Sequence, residues 1–185
     1  MDEIHKFRVF NKLKSVYRDA TVDARKESTP EHVWSALMLA DFFLSQIQQP
    51  IDRLRVYELL MYHDVVEIEA GDSPMHPSNN FPDKKEREER AFHSLRKQIP
   101  VVMRDKWAEL FDEFENSRTV EARFAHAIDY LDAVIYELDH REDWKGWTKE
   151  FLVGKRIKNF EEFPDLLKAF ESIVEYLEAN KYFSE

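Results

Sequence analysis

The chain has 185 residues, a formal net charge of −10 and no cysteine, which excludes disulfides, thiolate zinc sites and cysteine nucleophiles and leaves His, Asp and Glu for any transition-metal site. The acidic balance repels phosphate backbones, and no basic run with interleaved aromatics offsets it, so nucleic acid is not expected as a partner. Three glycines, Gly71, Gly146 and Gly154, are too few for a glycine-rich phosphate cradle.

The length fits one domain, expected to cover residues 1–185 and to bury about 70% of its unfolded surface. Apolar residues recur mostly at intervals of three and four, which predicts an all-α domain. The N-terminus lacks the apolar segment of a signal peptide and no run of about 18 apolar residues follows, so a soluble, cytoplasmic protein without membrane contact is expected.

In chain order, Ile4, Phe7, Phe10, Leu13 and Tyr17 predict an amphipathic helix over residues 2–17. Arg18 to Ser28 reads as a polar, charged connection. Thr29-Pro30-Glu31 reads as a helix start, with Thr29 as N-cap and Glu31 favourable to the dipole. Asp41 is the only acid or base between His32 and Leu44 besides His32 itself, so that helix is expected to be largely buried. His32 shares a side with Ala36, Leu39 and Phe43 and is expected to face inward.

After Pro50, Asp52 can cap a short helix from Leu54 to Met61 that ends at His63-Asp64. Apolar neighbours carry this pair inward, and burying an imidazole beside a carboxylate is costly unless both are hydrogen-bonded, paired or bound to a metal. Taken alone, the dipeptide reads first as a core histidine beside a helix-ending aspartate. Glu67 and Asp72 follow, and then residues 73–82, whose turn chemistry predicts a loop beside the polar cluster.

Asp83 and Glu86 form a candidate capping box for a helix from Lys84 to Gln98, the first two turns of which read as a solvated charged face. A helix starting at Pro100 packs through Trp107, Leu110, Phe111 and Phe114. A longer one, Val120 to Asp139, packs through Phe124, Ile128, Leu131, Ile135 and Leu138. A second row on it, Ala122, Ala125, Asp129, Ala133 and Tyr136, sets Asp129 among small residues that would let a helix or an ion approach closely. Asp132 competes with Asp129, and periodicity alone does not choose between them; His126 is a further candidate ligand on a more polar face. The tail carries Trp144, Trp147 and a last helix from about Phe163 to Asn180, expected to cover the core or to form a dimer surface.

His32, His63, Asp64 and Asp129 together offer two imidazoles and two carboxylates from three helices, a donor set suited to Mn, Fe, Co, Ni or Zn with positions left for water. In this order they resemble the H…HD…D signature of HD-domain metal-dependent phosphohydrolases. Arg25-Lys-Glu-Ser-Thr-Pro-Glu-His32-Val-Trp34, His63-Asp-Val-Val-Glu67-Ile-Glu-Ala-Gly-Asp72, Lys85-Glu86-Arg87-Glu88-Glu89, Glu113-Phe-Glu115 and Phe124-Ala-His-Ala-Ile-Asp129 resemble the motifs of one subgroup, the 5'-deoxynucleotidase-like HD hydrolases. The resemblance spans roughly residues 10–135.

It implies a helical bundle with a divalent metal ion at its centre, with Mg as a further candidate, and a homodimer acting on a small-molecule nucleotide. The implied reaction is hydrolysis of (deoxy)ribonucleoside 5'-monophosphates; phosphodiesterase or pyrophosphohydrolase activity, or metal and nucleotide binding without turnover, are the alternatives on the same scaffold. It favours Asp129 over Asp132 as the fourth ligand and assigns Glu67 and Asp72 to the attacking water and the leaving group. For the phosphate it leaves Arg25 and Arg18, with Arg25 preferred because it lies in a matched segment. Ser73-Pro-Met-His-Pro77 departs from the Thr and acid that follow Gly-Asp in many relatives, so the substrate loop is expected to differ.

Overall fold

A computed structural model of the protein describes residues 2–184. Its centre is three helices: α2 (Thr29–Leu44), α3 (Arg53–Tyr62) and α7 (Val120–Tyr136), each packed against the other two. Arg53 and Tyr57 reach Asp41 near one end of α2, while His63 lies against His32 near the other, so α2 and α3 run antiparallel. α6 (Val101–Glu115) packs on α3 and α7, and α9 (Pro164–Ala179) packs on α7. α1 (Asp2–Phe7), α4 (Glu67–Ala70), α5 (Lys84–Gln98) and α8 (Lys149–Arg156) complete the helical shell.

Leu59, Leu60, Leu110, Phe124, Ile128, Leu131 and Phe170 are almost wholly excluded from solvent where these helices meet. Each such side chain contributes about 1.5–3 kcal/mol on burial. Val65, Leu95, Ile99 and Trp107 form a second cluster with Val9, anchoring α5 and α6 against the turn that carries His63. Local caps set the helix starts: Asp52 accepts from the Arg55 N–H at 3.1 Å, Thr119 from the Ala122 N–H at 3.1 Å and Thr148 from the Phe151 N–H at 3.2 Å.

Several sequence expectations are corrected. Helix 2–17 is not continuous: α1 ends at Phe7, a 3₁₀ segment runs from Arg8 to Ser15, and Val16 is extended. α1 buries nothing, while Val9 and Leu13 of the tighter segment are buried, so packing of the second half decides the geometry. Arg18 to Ser28 is not an irregular connection but part of an antiparallel hairpin of β1 (Tyr17–Val22) and β2 (Arg25–Ser28), turning at Asp23 with φ +49°.

Ser28, not Thr29, is the N-cap of α2, and Glu31 Oε2 accepts from both the Ser28 N–H at 2.9 Å and the Ser28 hydroxyl at 2.7 Å. Asp83 makes no side-chain cap to α5. α2 is not largely buried: Trp34, Met38 and Phe42, one turn apart, are exposed while Ala36, Ala40 and Phe43 are buried. α8 was not foreseen, whereas the last helix buries Leu166, Phe170, Val174 and Leu177 in the core as one of its two readings expected.

Candidate metal centre and active site

His32 enters from the first turns of α2, His63 and Asp64 from the 3₁₀ turn that follows α3, and Asp129 from the middle of α7. His32 Nε2 lies 2.9 Å from Asp129 Oδ1 and 3.9 Å from Asp64 Oδ2. His63 Nε2 lies 3.0 Å from Asp64 Oδ2 and 3.7 Å from Asp129 Oδ1. Ligand atoms about 2.1 Å from a shared ion stand about 3–3.5 Å apart, so this spacing suits one cation.

The hydrogen bonds behind these atoms support the same reading. Leu60 O can only accept, so at 2.7 Å it takes the proton of His63 Nδ1; Asp132 Oδ2 takes that of His32 Nδ1 at 2.9 Å. Both imidazoles thereby present Nε2 lone pairs to the cluster, as metal-binding histidines do. His63 Nε2 and Asp64 Oδ2 are buried without a hydrogen-bond partner among the described residues. Buried lone pairs orphaned in this way are what a cation would satisfy, and the residues therefore fit a divalent ion.

The electrostatics agree. Burial works against a charged His32, as does Arg18, yet Asp129 and Asp132 push it up to about 9; burial likewise opposes charge on His63, which Asp64 and Asp129 nonetheless drive up. Against its own desolvation, Asp129 is held well below the carboxylate range by the two histidines. The negative potential that draws protons to this point would hold a metal cation there.

Around the cluster opens a cavity of about 560 Å³, lined by Arg18, Glu67, Asp72 and Asp129 among others. Glu67 is the first residue of α4 and accepts a hydrogen bond from the Thr29 hydroxyl at 3.0 Å. Its burial, with Asp64 and Asp72 nearby, pushes it up to about 9. Gly71, at φ +72°, ends α4 in a conformation that a side chain would strain, and the chain turns there to set Asp72 on the cavity wall. Burial raises Asp72 too, with Asp64 adding to it and Arg18 opposing.

The two candidate arginines separate. Arg18 is mostly buried, 3.6 Å from Asp64 and 3.5 Å from Glu27, and lines the cavity. Arg25 faces outward, more than half exposed, in a two-pronged pair with Glu31 at 2.8 and 2.5 Å. The preference for Arg25 is therefore corrected: it lies on the opposite strand of the hairpin with its charge already satisfied. His126 does not join the cluster of His32, His63 and Asp129; its Nε2 donates to the Phe114 carbonyl at 2.8 Å. Asp132, a competitor for the ligand position in the sequence, instead sits behind His32, where it also accepts from the Ser35 hydroxyl at 2.7 Å.

Sequence reasoning missed Thr29, Glu27 and Glu137 as parts of the site. Glu27 and Thr29 lie in the segment leading to His32, but their inward direction depends on the hairpin. Glu137 follows Asp129 and Ala133 at the four-residue spacing that would have signalled a common face.

A model of the HD domain family matches residues 10–167. The chain is 26% identical over 151 residues to the 5'-deoxynucleotidase HDDC2 of Bos taurus, covering 78% of this chain and 71% of that protein. It is 27% identical over 165 residues to a 5'-deoxynucleotidase of Enterobacter sp. (strain 638), covering 84% and 80%. In structure it is similar to a protein of Magnetospirillum magnetotacticum named as a predicted metal-dependent phosphohydrolase, with TM-score 0.87, 26% identity and coverage of 100% and 97%. An HD-domain phosphohydrolase of Listeria innocua shares the fold at TM-score 0.62 and 18% identity, covering 94% and 85%. With the match extending over most of the chain, and with both histidines and both aspartates of the signature gathered at one point, the chain belongs to the HD domain family.

Proposed function

We propose that the protein is a metal-dependent phosphomonoesterase that hydrolyses (deoxy)ribonucleoside 5'-monophosphates to nucleoside and phosphate, with residues 1–185 acting as one domain. The observation that carries this reading is the convergence of His32, His63, Asp64 and Asp129 at the floor of a cavity that also holds Arg18, Glu67 and Asp72. The similarity to proteins named 5'-deoxynucleotidase supports the substrate class.

A divalent ion held by those four residues, of which Mn, Co, Fe, Ni and Zn suit the mixed N and O donors and Mg is also admissible, supplies Lewis-acid polarisation and lowers the pKa of water at the site. Arg18 binds the phosphate through its guanidinium fork, in the role that the sequence favoured for Arg25. Glu67 takes a proton from the attacking water; a cation bound beside it would oppose its upward shift and favour the ionised form that this role needs. The Thr29 hydroxyl, bonded to Glu67 Oε2, holds that carboxyl in place. Asp72, on the cavity wall, delivers a proton to the leaving 5'-oxygen, and burial favours its protonated form.

The protein acts in this reading as a cytoplasmic homodimer. The exposed Trp34, Met38 and Phe42 face of α2 supports a second copy as partner, because apolar residues in a contiguous row rarely remain in water. No helix among the described residues is long and apolar enough to cross a membrane. The test is phosphate release from ribo- and deoxyribonucleoside 5'-monophosphates with Mn, Co, Zn or Mg, with sedimentation reporting the oligomeric state. Phosphate release that a chelator abolishes is expected; absence of release with every metal overturns the reading.

A further inference from the structure

Asp129, Ala133 and Glu137 follow one another at intervals of four, so they share one face of α7 and its continuation, and all three line the cavity. Eight residues of helix span about 12 Å. That span is comparable with the reach from a 5'-phosphate, across the sugar, to the far edge of a base. Between the two acids, Ala133 leaves the wall low. The face therefore has an acid at the metal end, a shallow middle and a second acid at the far end.

The far acid has no internal assignment. Glu137 is half-buried, and among the described residues no donor reaches its carboxyl oxygens; its hydrogen bonds run through its backbone, the N–H donating to the Ala133 carbonyl and the carbonyl accepting from the His140 N–H at 3.0 Å and from Trp144 Nε1 at 2.9 Å. The neighbouring Asp143 is already satisfied by the Thr21 N–H at 3.0 Å and the Thr21 hydroxyl at 2.9 Å. Lys26, which also lines the cavity, is paired with Asp19 at 2.8 Å and does not neutralise Glu137. Burial and the charge of Asp143 both make this carboxyl costly to ionise. An unpaired acid set into a cavity wall among other acids is matched by a ligand that brings hydrogen-bond donors.

We infer that Glu137 reads the base of the substrate: its carboxyl, in the ionised form, accepts hydrogen bonds from the exocyclic amino group of adenine, guanine or cytosine and selects their 5'-nucleotides over those of thymine and uracil, which carry none. The inference rests on the nucleotidase reading above and adds to it a base preference and the residue that sets it. A cavity built to bond a particular group discriminates strongly against an analogue lacking it, because its own polar group is then left unpaired.

The experiment measures kcat/KM for dAMP, dGMP, dCMP, dTMP and 2-deoxyribose 5-phosphate with wild type, Glu137→Leu and Glu137→Gln. Wild type is expected to favour the amino-bearing nucleotides over dTMP by about tenfold or more. Glu137→Leu reduces that preference to about twofold or less, and Glu137→Gln, whose amide can donate to the thymine O4, shifts the ratio towards dTMP. Binding of deoxyadenosine and thymidine to the metal-free proteins, followed by equilibrium dialysis, reads the same preference without turnover. An unchanged ratio in both variants, or a wild type indifferent to the base while it releases phosphate, overturns this inference alone. Failure of wild type to release phosphate from any of the five compounds overturns the nucleotidase reading and this inference with it.

Discussion

Asp132 Oδ2 lies 2.9 Å from His32 Nδ1, and that contact decides which nitrogen of His32 faces the metal cluster. The pair comes from α2 and α7, so the packing of those two helices and the tautomer of one ligand are the same structural fact. A carboxylate behind a ligating histidine fixes the ring and raises its basicity.

Asp132→Asn is therefore expected to weaken metal binding about 10- to 100-fold. Titration with Co or Zn monitored by calorimetry measures this. Affinity equal to wild type would show that the contact orients nothing.

Glu67 and Asp64 are expected to fail in different ways. Glu67→Ala retains the metal and loses kcat by about 10²- to 10⁴-fold, since the missing group acts on a proton. Asp64→Ala loses metal and turnover together. Metal content of purified protein, read beside phosphate release, separates the two; matching behaviour of the variants contradicts the roles given.

Arg18→Ala should reduce kcat/KM for nucleoside monophosphates by about tenfold or more, because it removes a charge-assisted phosphate contact. Arg25→Ala should leave turnover unchanged, since that side chain is exposed and engaged with Glu31 outside the cavity. Steady-state kinetics of the two proteins checks this, and the opposite ranking would restore Arg25 to the phosphate.

Stability without metal carries a pH signature. Burial, with Asp143 adding to it, pushes Glu137 from an ordinary 4.5 up to about 8. A carboxyl raised in this way keeps its proton longer in the folded chain than in the unfolded one. Its contribution is thus full below the ordinary glutamate value and is lost as pH rises to about 8. Metal-free wild type should lose stability relative to Glu137→Gln across that window, by a few kcal/mol at most. Urea titrations of both proteins at about pH 5 and about pH 8 measure the gap. A gap of equal size at the two pH values would contradict the shift.

The longer helices and the candidate ligands were legible because they rest on short-range pattern. Residues at three and four apart mark the buried faces of α6, α7 and α9, and the His63-Asp64 pair between apolar neighbours announces a costly burial that something must compensate. The ordered motifs then chose Asp129 over Asp132, a choice that periodicity left open because both lie near inward-facing rows of α7.

The hairpin was not legible. Tyr17-Arg-Asp-Ala-Thr-Val22 and Arg25-Lys-Glu-Ser28 are charged and short, and the pairing is irregular between Tyr17 and Thr21. In a strand, direction alternates at every residue, so a shift in register exchanges inside for outside. Which arginine points inward is thus a property of the register.

By itself the sequence determined an all-α domain of the HD type and named His32, His63, Asp64 and Asp129 as candidate ligands, because helix periodicity and the ordered motifs are local properties carried along the chain. Only the tertiary structure decided that Arg18 rather than Arg25 enters the cavity, that Asp132 stands behind His32, and that Glu137 sits at the far end of the site. Those assignments depend on strand register and on helices meeting across distances of about a hundred residues, where direction is set by packing.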